Sequence, residues 1–274
     1  MKKKGNSTTV LLLLIFVVGM GLLLYPSVSN WWNSQHQSRA IASYSEAIQD
    51  LDDDKIAEYL ADAESFNELI RSKKGFQFLY DDEMIRYNSV LDITGTGIMA
   101  YIEIPSISVS LPVYHGVSDA VLQVAVGHLE WTSLPIGGKN THCVVSGHRG
   151  LPSAKLFTNL DKLVEGDIFM LHILDRTITY QVDQILIVNP EDTTSLNIIE
   201  GKDLCTLVTC TPYGINSHRL LVRGHRIENM EEAPVINVIS EAGQIDPLIV
   251  APVLAAPILL LLLLYVLIKY RKKK

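Results

Sequence analysis

The sequence predicts a mainly β domain whose short strands close into a barrel, with helices before it and a membrane-spanning helix on either side. The first observation is a series of short β-branched and apolar segments between residues 98 and 226, separated by turn residues. The second is an amphipathic helical pattern over residues 38–72, and the third is a long apolar run near each end of the chain. Many short strands with few helices favour a closed or nearly closed barrel.

Two apolar runs, residues 10–28 and 248–268, are near or above the length that crosses a bilayer, which is about 20 residues. Three lysines, residues 2–4, precede the first run, and a basic tail, residues 269–274, follows the second. Positive charge favours the cytoplasmic side, so we expect a cell-membrane protein with both termini in the cytoplasm and the rest outside the cell. The alternative for the first run is a cleaved signal peptide, although its apolar stretch exceeds the usual length of about 7–15 residues.

The region between the two apolar runs is acidic. Eight of the 23 lysines and arginines lie in the tails, which leaves 15 basic against 30 acidic residues and a net charge of about −15. Such a surface disfavours nucleic acid as a partner and permits a cationic one, such as a lysine-bearing protein. Three cysteines are too few for a disulfide scaffold, and the odd number leaves at least one thiol unpaired within the chain.

The residues after the first apolar run predict a helical stalk outside the membrane. Apolar residues recur at steps of three and four from Ile41 to Ile70, with an expected break near the acidic run Asp52–Asp54. That run is typical of a solvated turn and helix start, and a metal site is the alternative. Residues 73–94 lose the helical period and predict a loop or short helix held against an apolar surface.

The character then changes to short strands. Pro112 interrupts the second of them, which predicts an edge strand. Residues 120–126 and 155–163 predict short helices, and residues 190–199 a loop or short helix. The strands are expected at residues 98–104, 109–114, 142–146, 168–174 and 177–188, followed by a hairpin at residues 203–226.

Three residues form a candidate catalytic set at strand ends. Cys210 ends the first arm of the hairpin, Arg219 begins the second, and His148 follows a strand in a glycine-flanked loop. A thiolate is a nucleophile, an imidazole exchanges protons with an amine, and a guanidinium stabilises the oxyanion formed on an attacked carbonyl. The set points to acyl transfer through a thioester. Taken singly, the three have simpler interpretations as a buried apolar thiol, a turn residue and an exposed charge; a zinc site lacks its paired short spacings.

Two segments resemble the histidine and cysteine–arginine signatures of sortases. They are THCVVSGHRG at residues 141–150 and TLVTCTPYGINSHRLLVRG at residues 206–224. Their GHRG and TCTPYG forms, together with the second apolar run, resemble class C, the pilin-polymerising sortases. The resemblance covers about residues 95–227, and GIMAYIEIPSI at residues 97–107 is similar to that family's first strand.

The resemblance implies an eight-stranded sortase-type barrel with its site in an open groove. By position, Cys210 becomes the nucleophile, His148 the general acid and base, and Arg219 the oxyanion or substrate clamp. The implied reaction cleaves an LPxTG-like sorting signal of a pilin or surface protein between Thr and Gly, and passes the acyl group to a lysine amine of a pilin subunit. It needs no cofactor or metal. The alternatives are a sortase that uses a peptidoglycan amine and a non-catalytic β-barrel factor of pilus assembly.

Class C sortases usually carry a lid with an Asp-Pro-aromatic motif over the cysteine, and this chain has no such tripeptide. The corresponding stretch, residues 76–87, offers Tyr80, Asp81 and Asp82 as lid candidates. An aspartate would face Arg219 and the ring of Tyr80 would cover the thiol. The alternative is a lid that is absent or open.

The other two cysteines keep the same spacing from the candidate catalytic residues. Cys143 lies five residues before His148, and Cys205 lies five before Cys210. If the two strands are parallel neighbours, these thiols lie side by side and, because faces alternate along a strand, opposite the catalytic face. We expect two buried free thiols, with a disulfide as the alternative.

The expected organisation runs from one membrane segment to the other. In order, it comprises a cytoplasmic basic tail (1–9), an N-terminal anchor (10–28), a helical stalk (29–72), a lid region (73–94), the catalytic barrel (95–228), an acidic linker (229–247), a second membrane helix (248–268) and a cytoplasmic basic tail (269–274).

Overall fold

The computed structural model describes residues 5–73 and 77–229. The helices in these ranges are α1 (Gly5–Gln49), α2 (Asp53–Ser72), α3 (Asp81–Ser89) and α4 (Asp119–Leu122). The predicted second membrane helix, the C-terminal tail and all of the acidic linker except Asn229 lie outside the described residues.

Eight strands form a closed barrel, which confirms the predicted fold of the domain. Around the barrel the strand order is β1-β2-β3-β4-β7-β8-β6-β5, with parallel pairing only between β2 and β3 and between β4 and β7 among the described strands. The strands are β1 (Ile98–Ile104), β2 (Val109–His115), β3 (Val126–His128), β4 (Thr141–Ser146), β5 (Ile168–Ile173), β6 (Arg176–Val188), β7 (Asp203–Thr211) and β8 (His218–Arg226).

The second strand is not an edge strand, so that prediction is wrong. β2 pairs with β1 on one side and with β3 on the other. The ladder with β3 begins only at Val113, after Pro112, so the missing N–H of the proline leaves no bond of that ladder unmade.

Of the two short helices that were predicted, the first is confirmed as a single turn, because α4 covers the start of residues 120–126 and β3 begins at Val126. The second prediction is wrong. Residues 155–163 form turns that end in a 3₁₀ turn, Leu160–Lys162, because Leu156 adopts a left-handed φ of 38° that an α-helix excludes. The leucines of this stretch are nevertheless buried in the core.

The two helices α2 and α3 pack against the barrel. The chain turns between Gln49 and Asp53, and the side chain of Asp52 caps α2 by accepting a bond from the backbone N–H of Lys55 at 2.8 Å. Phe66 of α2 and Tyr87 of α3 are fully buried in the main apolar core, with ring centroids 5.8 Å apart.

Among the described residues, one helix is long and apolar enough to cross a membrane. It covers residues 11–49 of α1 and reaches a mean hydropathy of 2.4, a test that an N-terminal signal sequence also passes. Its C-terminal end is tied to the barrel by Tyr44, which is fully buried. The hydroxyl of Tyr44 donates to the carbonyl of Met99 at 2.9 Å and accepts from the N–H of Leu174 at 3.1 Å.

The parallel pair β4–β7 confirms the side-by-side arrangement of Cys143 and Cys205. The two residues are direct partners across the pair, and both are free thiols buried in the barrel interior. Burial raises the pKa of the Cys205 thiol well above its usual value.

Candidate active site

The hairpin of β7 and β8 brings Cys210 and Arg219 together. The two residues are direct partners in the antiparallel ladder, one pair before the end of the ladder at the turn that joins the two strands. Both residues are half-buried. Arg219 donates through Nη1 to the carbonyls of His218 at 3.2 Å and Asn216 at 3.4 Å, and it has no acidic partner among the described residues.

The register of the barrel brings His148 to the same level. The last registered pair of β4 and β7 is Ser146 with Val208, and His148 and Cys210 each lie two residues further on. Gly147 continues the contact, because its N–H donates to the carbonyl of Val208 at 3.0 Å and its carbonyl accepts from Thr209 Oγ1 at 2.7 Å. His148 therefore leaves the sheet beside the end of β7 that carries Cys210.

Gly147 is needed because of close packing. A Cβ at this position would lie 2.7 Å from Cδ2 of Phe157 and 2.8 Å from Cγ1 of Val126. The loop that starts at Gly147 and ends at residue 163, named here the histidine loop, can follow this path only without a side chain there. The loop then folds back on itself, since the N–H of Phe157 donates to the carbonyl of His148 at 3.1 Å.

Cys210 faces away from the barrel interior. Cys205 lies in the interior cluster, and residues alternate faces along a strand, so Cys210 has the opposite orientation. The outer face behind it is apolar, because Val144, Val208 and Leu221 form a second buried cluster there. Cys210 lies two residues beyond Val208 on this same outer face.

A cavity of about 640 Å³ opens at the other end of this face. Its lining includes His142, whose Nε2 accepts from Thr206 Oγ1 at 2.7 Å. Thr206 is four residues from Cys210 on the same strand face, a separation of about 13 Å at about 3.3 Å per residue. An extended peptide chain of four residues covers that length. Other lining residues are Ile70, Arg71, Trp131, Leu196 and Asn197.

His142 is a buried, neutral histidine. Its Nδ1 donates to the carbonyl of Asn197 at 2.9 Å, which fixes the tautomer that leaves Nε2 free to accept from Thr206. Desolvation lowers the pKa of His142 to about 4, and the cation of Arg223 contributes in the same direction. The ring therefore joins β4 to the loop before β7 and carries no charge near neutral pH.

The three lid candidates lie at the start of α3 and are exposed. Tyr80 has its ring 4.7 Å from Nζ of Lys73, and its N–H donates to Glu83 at 2.7 Å. Within residues 5–73 and 77–229, neither Asp81 nor Asp82 forms an ion pair with Arg219. The structure thus brings together Cys210, Arg219 and His148, and it associates the lid candidates with the end of α2.

Sequence reasoning missed the residues that fix the two loops of the site. Arg149, directly after His148, forms an ion pair with Asp161 of the histidine loop and donates to Thr211 Oγ1 at 3.5 Å. Its guanidinium also lies 5.8 Å from the ring centroid of Tyr213. The only signal in the sequence was the position of Arg149 beside His148, which carries no information about its partners.

Comparisons with known proteins point to one family. The model of the Sortase domain matches residues 102–227. The chain is 50% identical to sortase C1 of Streptococcus agalactiae, covering 70% of this chain and 99% of that one, with a TM-score of 0.68. It is 43% identical to sortase C of Streptococcus pneumoniae, covering 70% of this chain and 97% of that one, with a TM-score of 0.63.

A curated relative matches over a shorter region. Sortase D of Bacillus subtilis is 30% identical over 129 residues, which are 46% of this chain and 62% of that protein. The chain thus spans less than two thirds of the length of this relative.

Proposed function

The chain belongs to the sortase family of cysteine transpeptidases, and from this premise we propose that it is a pilin-polymerising enzyme of class C held in the cell membrane. The proposed donor is an LPxTG-like sorting signal, and the proposed acceptor is a lysine amine of a pilin subunit. The pilin assignment is supported by the likeness to sortase C of Streptococcus pneumoniae, whose structure bears on pilin substrate specificity.

In the first half of the proposed reaction, Sγ of Cys210 attacks the carbonyl carbon of the threonine that precedes glycine. The carbonyl oxygen becomes an oxyanion, which the guanidinium of Arg219 stabilises. The intermediate collapses to a thioester as the Thr–Gly bond breaks, and the leaving amine takes a proton from His148. The glycine end departs, and the threonine end remains on the enzyme.

In the second half, the lysine amine of the acceptor attacks the thioester carbonyl. His148, now neutral, takes a proton from this amine, and Arg219 again stabilises the oxyanion. The C–S bond breaks, an isopeptide bond remains between the two proteins, and Cys210 returns as a thiolate. The cycle consumes one acceptor amine and releases one glycine-terminated fragment, without a metal or an external oxidant.

The single observation that carries the proposal is the pairing of Cys210 with Arg219 beside the chain position of His148. A nucleophile, an acid–base group and an oxyanion donor at neighbouring strand ends are what acyl transfer to an amine requires. The outer apolar face and the cavity at its far end from the thiol support an extended peptide donor. The proposal includes two membrane-spanning segments, residues 10–28 and 248–268, each with a cytoplasmic tail. The apolar helix at residues 11–49 supports the first of these segments.

The test is mass spectrometry of the full chain in detergent after incubation with an LPxTG peptide. The wild type should gain the mass of the peptide up to threonine, and Cys210→Ala should gain none. Cys205→Ala serves as the matched control, because that thiol faces the barrel interior, and it should still acylate. Retention of transfer by Cys210→Ala would instead indicate a non-catalytic assembly factor.

The acceptor is tested on the preformed acyl-enzyme. Addition of a lysine-bearing pilin should release the enzyme and join the peptide to the pilin. Release only by a peptidoglycan-type amine would replace the pilin assignment with cell-wall anchoring.

A further inference from the structure

Arg149 is a buried cation in a position where a surface arginine would be expected. Its side chain is only 9% exposed, although it lies in the histidine loop directly after His148. Removing a charge from water costs several kcal/mol unless partners replace the water, so a buried guanidinium needs a structural reason.

The partners of Arg149 come from both sides of the site. Within the histidine loop, Nη2 donates to the carboxylate of Asp161. Toward β7, Nη1 donates to Oγ1 of Thr211, the residue that follows Cys210, at 3.5 Å. The guanidinium also approaches the ring of Tyr213 in the loop between β7 and β8. Arg149 therefore joins the loop that begins beside His148 to the loop that begins beside Cys210.

The contact between the two loops is close as well as polar. A Cβ on Gly150 would lie 2.8 Å from Cε2 of Tyr213, so the backbone after Arg149 rests directly on that ring. Gly150 has a left-handed φ of 77°, which turns the chain back, and its N–H donates to Thr158 Oγ1 at 3.1 Å. The two loops thus meet at Arg149 and Gly150.

The arrangement suits a guanidinium and no other cation. A planar group with several donors can bond to Asp161 and to Thr211 at once while one face remains near an aromatic ring. A lysine ammonium carries all its donors on one nitrogen atom, so it could bond to only some of these partners. Nε of Arg149 is buried without a hydrogen-bond partner among the described residues, so the residue keeps its place at the cost of one unmade bond.

We propose that Arg149 is a positioning residue that fixes the distance between the imidazole of His148 and the thiol of Cys210. This inference rests on the proposed transpeptidase function. It assigns Arg149 no contact with the substrate or the reacting atoms. A misplacement of about 1 Å between reacting groups costs about 100-fold in rate, so loosening the junction lowers the rate without removing any catalytic group.

The first measurement is the rate of acyl-enzyme formation by the full chain in detergent with an LPxTG peptide. Arg149→Met should lower this rate about 100-fold. The rate of Arg149→Lys should lie between those of Arg149→Met and the wild type, because lysine keeps the positive charge but lacks the planar guanidinium with its several donors. The matched control is Arg223→Met, which also breaks a partly buried ion pair, with Asp183, on β8, and which should acylate at a rate close to that of the wild type.

The second measurement is alkylation of Cys210 by iodoacetamide as a function of pH, which needs no sorting peptide. In Arg149→Met the pH dependence should be displaced from that of the wild type, because the imidazole is no longer held beside the thiol. In Arg223→Met it should superimpose on the wild-type profile. A purely structural role of Arg149 would lower the fraction of folded protein and leave this profile unchanged.

The two measurements separate failure of the inference from failure of the proposed function. A wild type that forms no acyl-enzyme refutes the function, and the alkylation profile then still decides the positioning role. If folded Arg149→Met acylates at the wild-type rate and shows the wild-type pH dependence of alkylation, the inference is overturned. If Arg149→Met does not fold, the Arg149→Lys variant decides. Failure of Arg149→Lys to fold, or acylation by it at the wild-type rate, would overturn the positioning role. A folded Arg149→Lys that acylates more slowly than the wild type would support it.

Discussion

The buried ring of His142 makes a specific prediction about stability in acid. In the native state its pKa is lowered to about 4, against 6.5 for an unburied histidine. Desolvation is the largest cause, and the cation of Arg223 adds to it, while the bond to Asn197 and the carboxylate of Asp183 act in the opposite direction. The ring is thus neutral in the folded protein at any pH above about 5.

The sign of the effect follows from where the proton binds. Above pH 6.5 both the folded and the unfolded chain carry a neutral His142, so the residue does not change stability with pH. Between pH 6.5 and 4 the unfolded chain binds a proton that the folded chain excludes, so stability falls as the pH falls. A difference of 2.5 pKa units at about 1.4 kcal/mol each gives a loss of about 3 kcal/mol below pH 4.

The substitution His142→Gln isolates the contribution of His142 to the loss of stability in acid. A glutamine amide can donate toward Asn197 and accept from Thr206, as the neutral ring does, and it does not titrate. Other groups titrate alike in both proteins, so the comparison between them reports His142. Relative to the variant, the wild type should lose about 6–12 °C of melting temperature between pH 7 and 4, at about 2–4 °C per kcal/mol for a domain of this size.

Thermal unfolding of both proteins in the same detergent, followed by circular dichroism at pH 7, 5.5 and 4, measures this difference. Parallel losses in the two proteins would refute the burial argument, and a wild type that gains stability in acid relative to the variant would reverse its sign. An NMR titration of the His142 ring with a midpoint near 6.5 would refute the lowered pKa directly.

Two further predictions concern the barrel. Tyr44→Phe leaves the carbonyl of Met99 and the N–H of Leu174 without their buried partner, so it should destabilise the fold by about 1–3 kcal/mol in urea unfolding, with Tyr101→Phe, on a half-buried ring, as the control. Native protein should react with a thiol reagent at Cys210 alone, and unfolded protein at all three cysteines. Fewer than three thiols after unfolding without reductant would indicate a disulfide between the two buried ones.

The positions of the three proposed catalytic residues at strand ends explain why the sequence could group them. Cys210 and Arg219 flank a hairpin turn, and antiparallel strands joined by a turn must pair near it, so their proximity follows from local sequence. His148 required one assumption, that its strand and β7 are parallel neighbours, and the same assumption predicted that Cys143 and Cys205 lie side by side. The confirmed pairing of these two thiols carries the same register forward to His148 and Cys210.

Other features depend on contacts that no local pattern records. β3 has only three residues, which is too short for an alternating pattern to appear in the sequence. Its pairing with β2 and β4 holds it in the barrel. The leucines before Leu163 have helical spacing, yet they enter the core through turns. Arg149 resembles an exposed charge in the sequence, since its partners Asp161 and Thr211 are set by how two loops meet.

The parallel pairing of β4 and β7 fixes where both loops of the site begin. His148 and Cys210 are separated by 62 residues, and closing a loop of that length costs about 4 kcal/mol of chain entropy in addition to a constant term. Six registered residue pairs of β4 and β7, which include the buried pair Cys143 and Cys205, offset this cost. The junction at Arg149 can then act only on loops whose starting points are already fixed. Its loss should therefore affect the rate of acylation more than the stability of the barrel, whereas loss of a core contact in β4 or β7 should do the reverse.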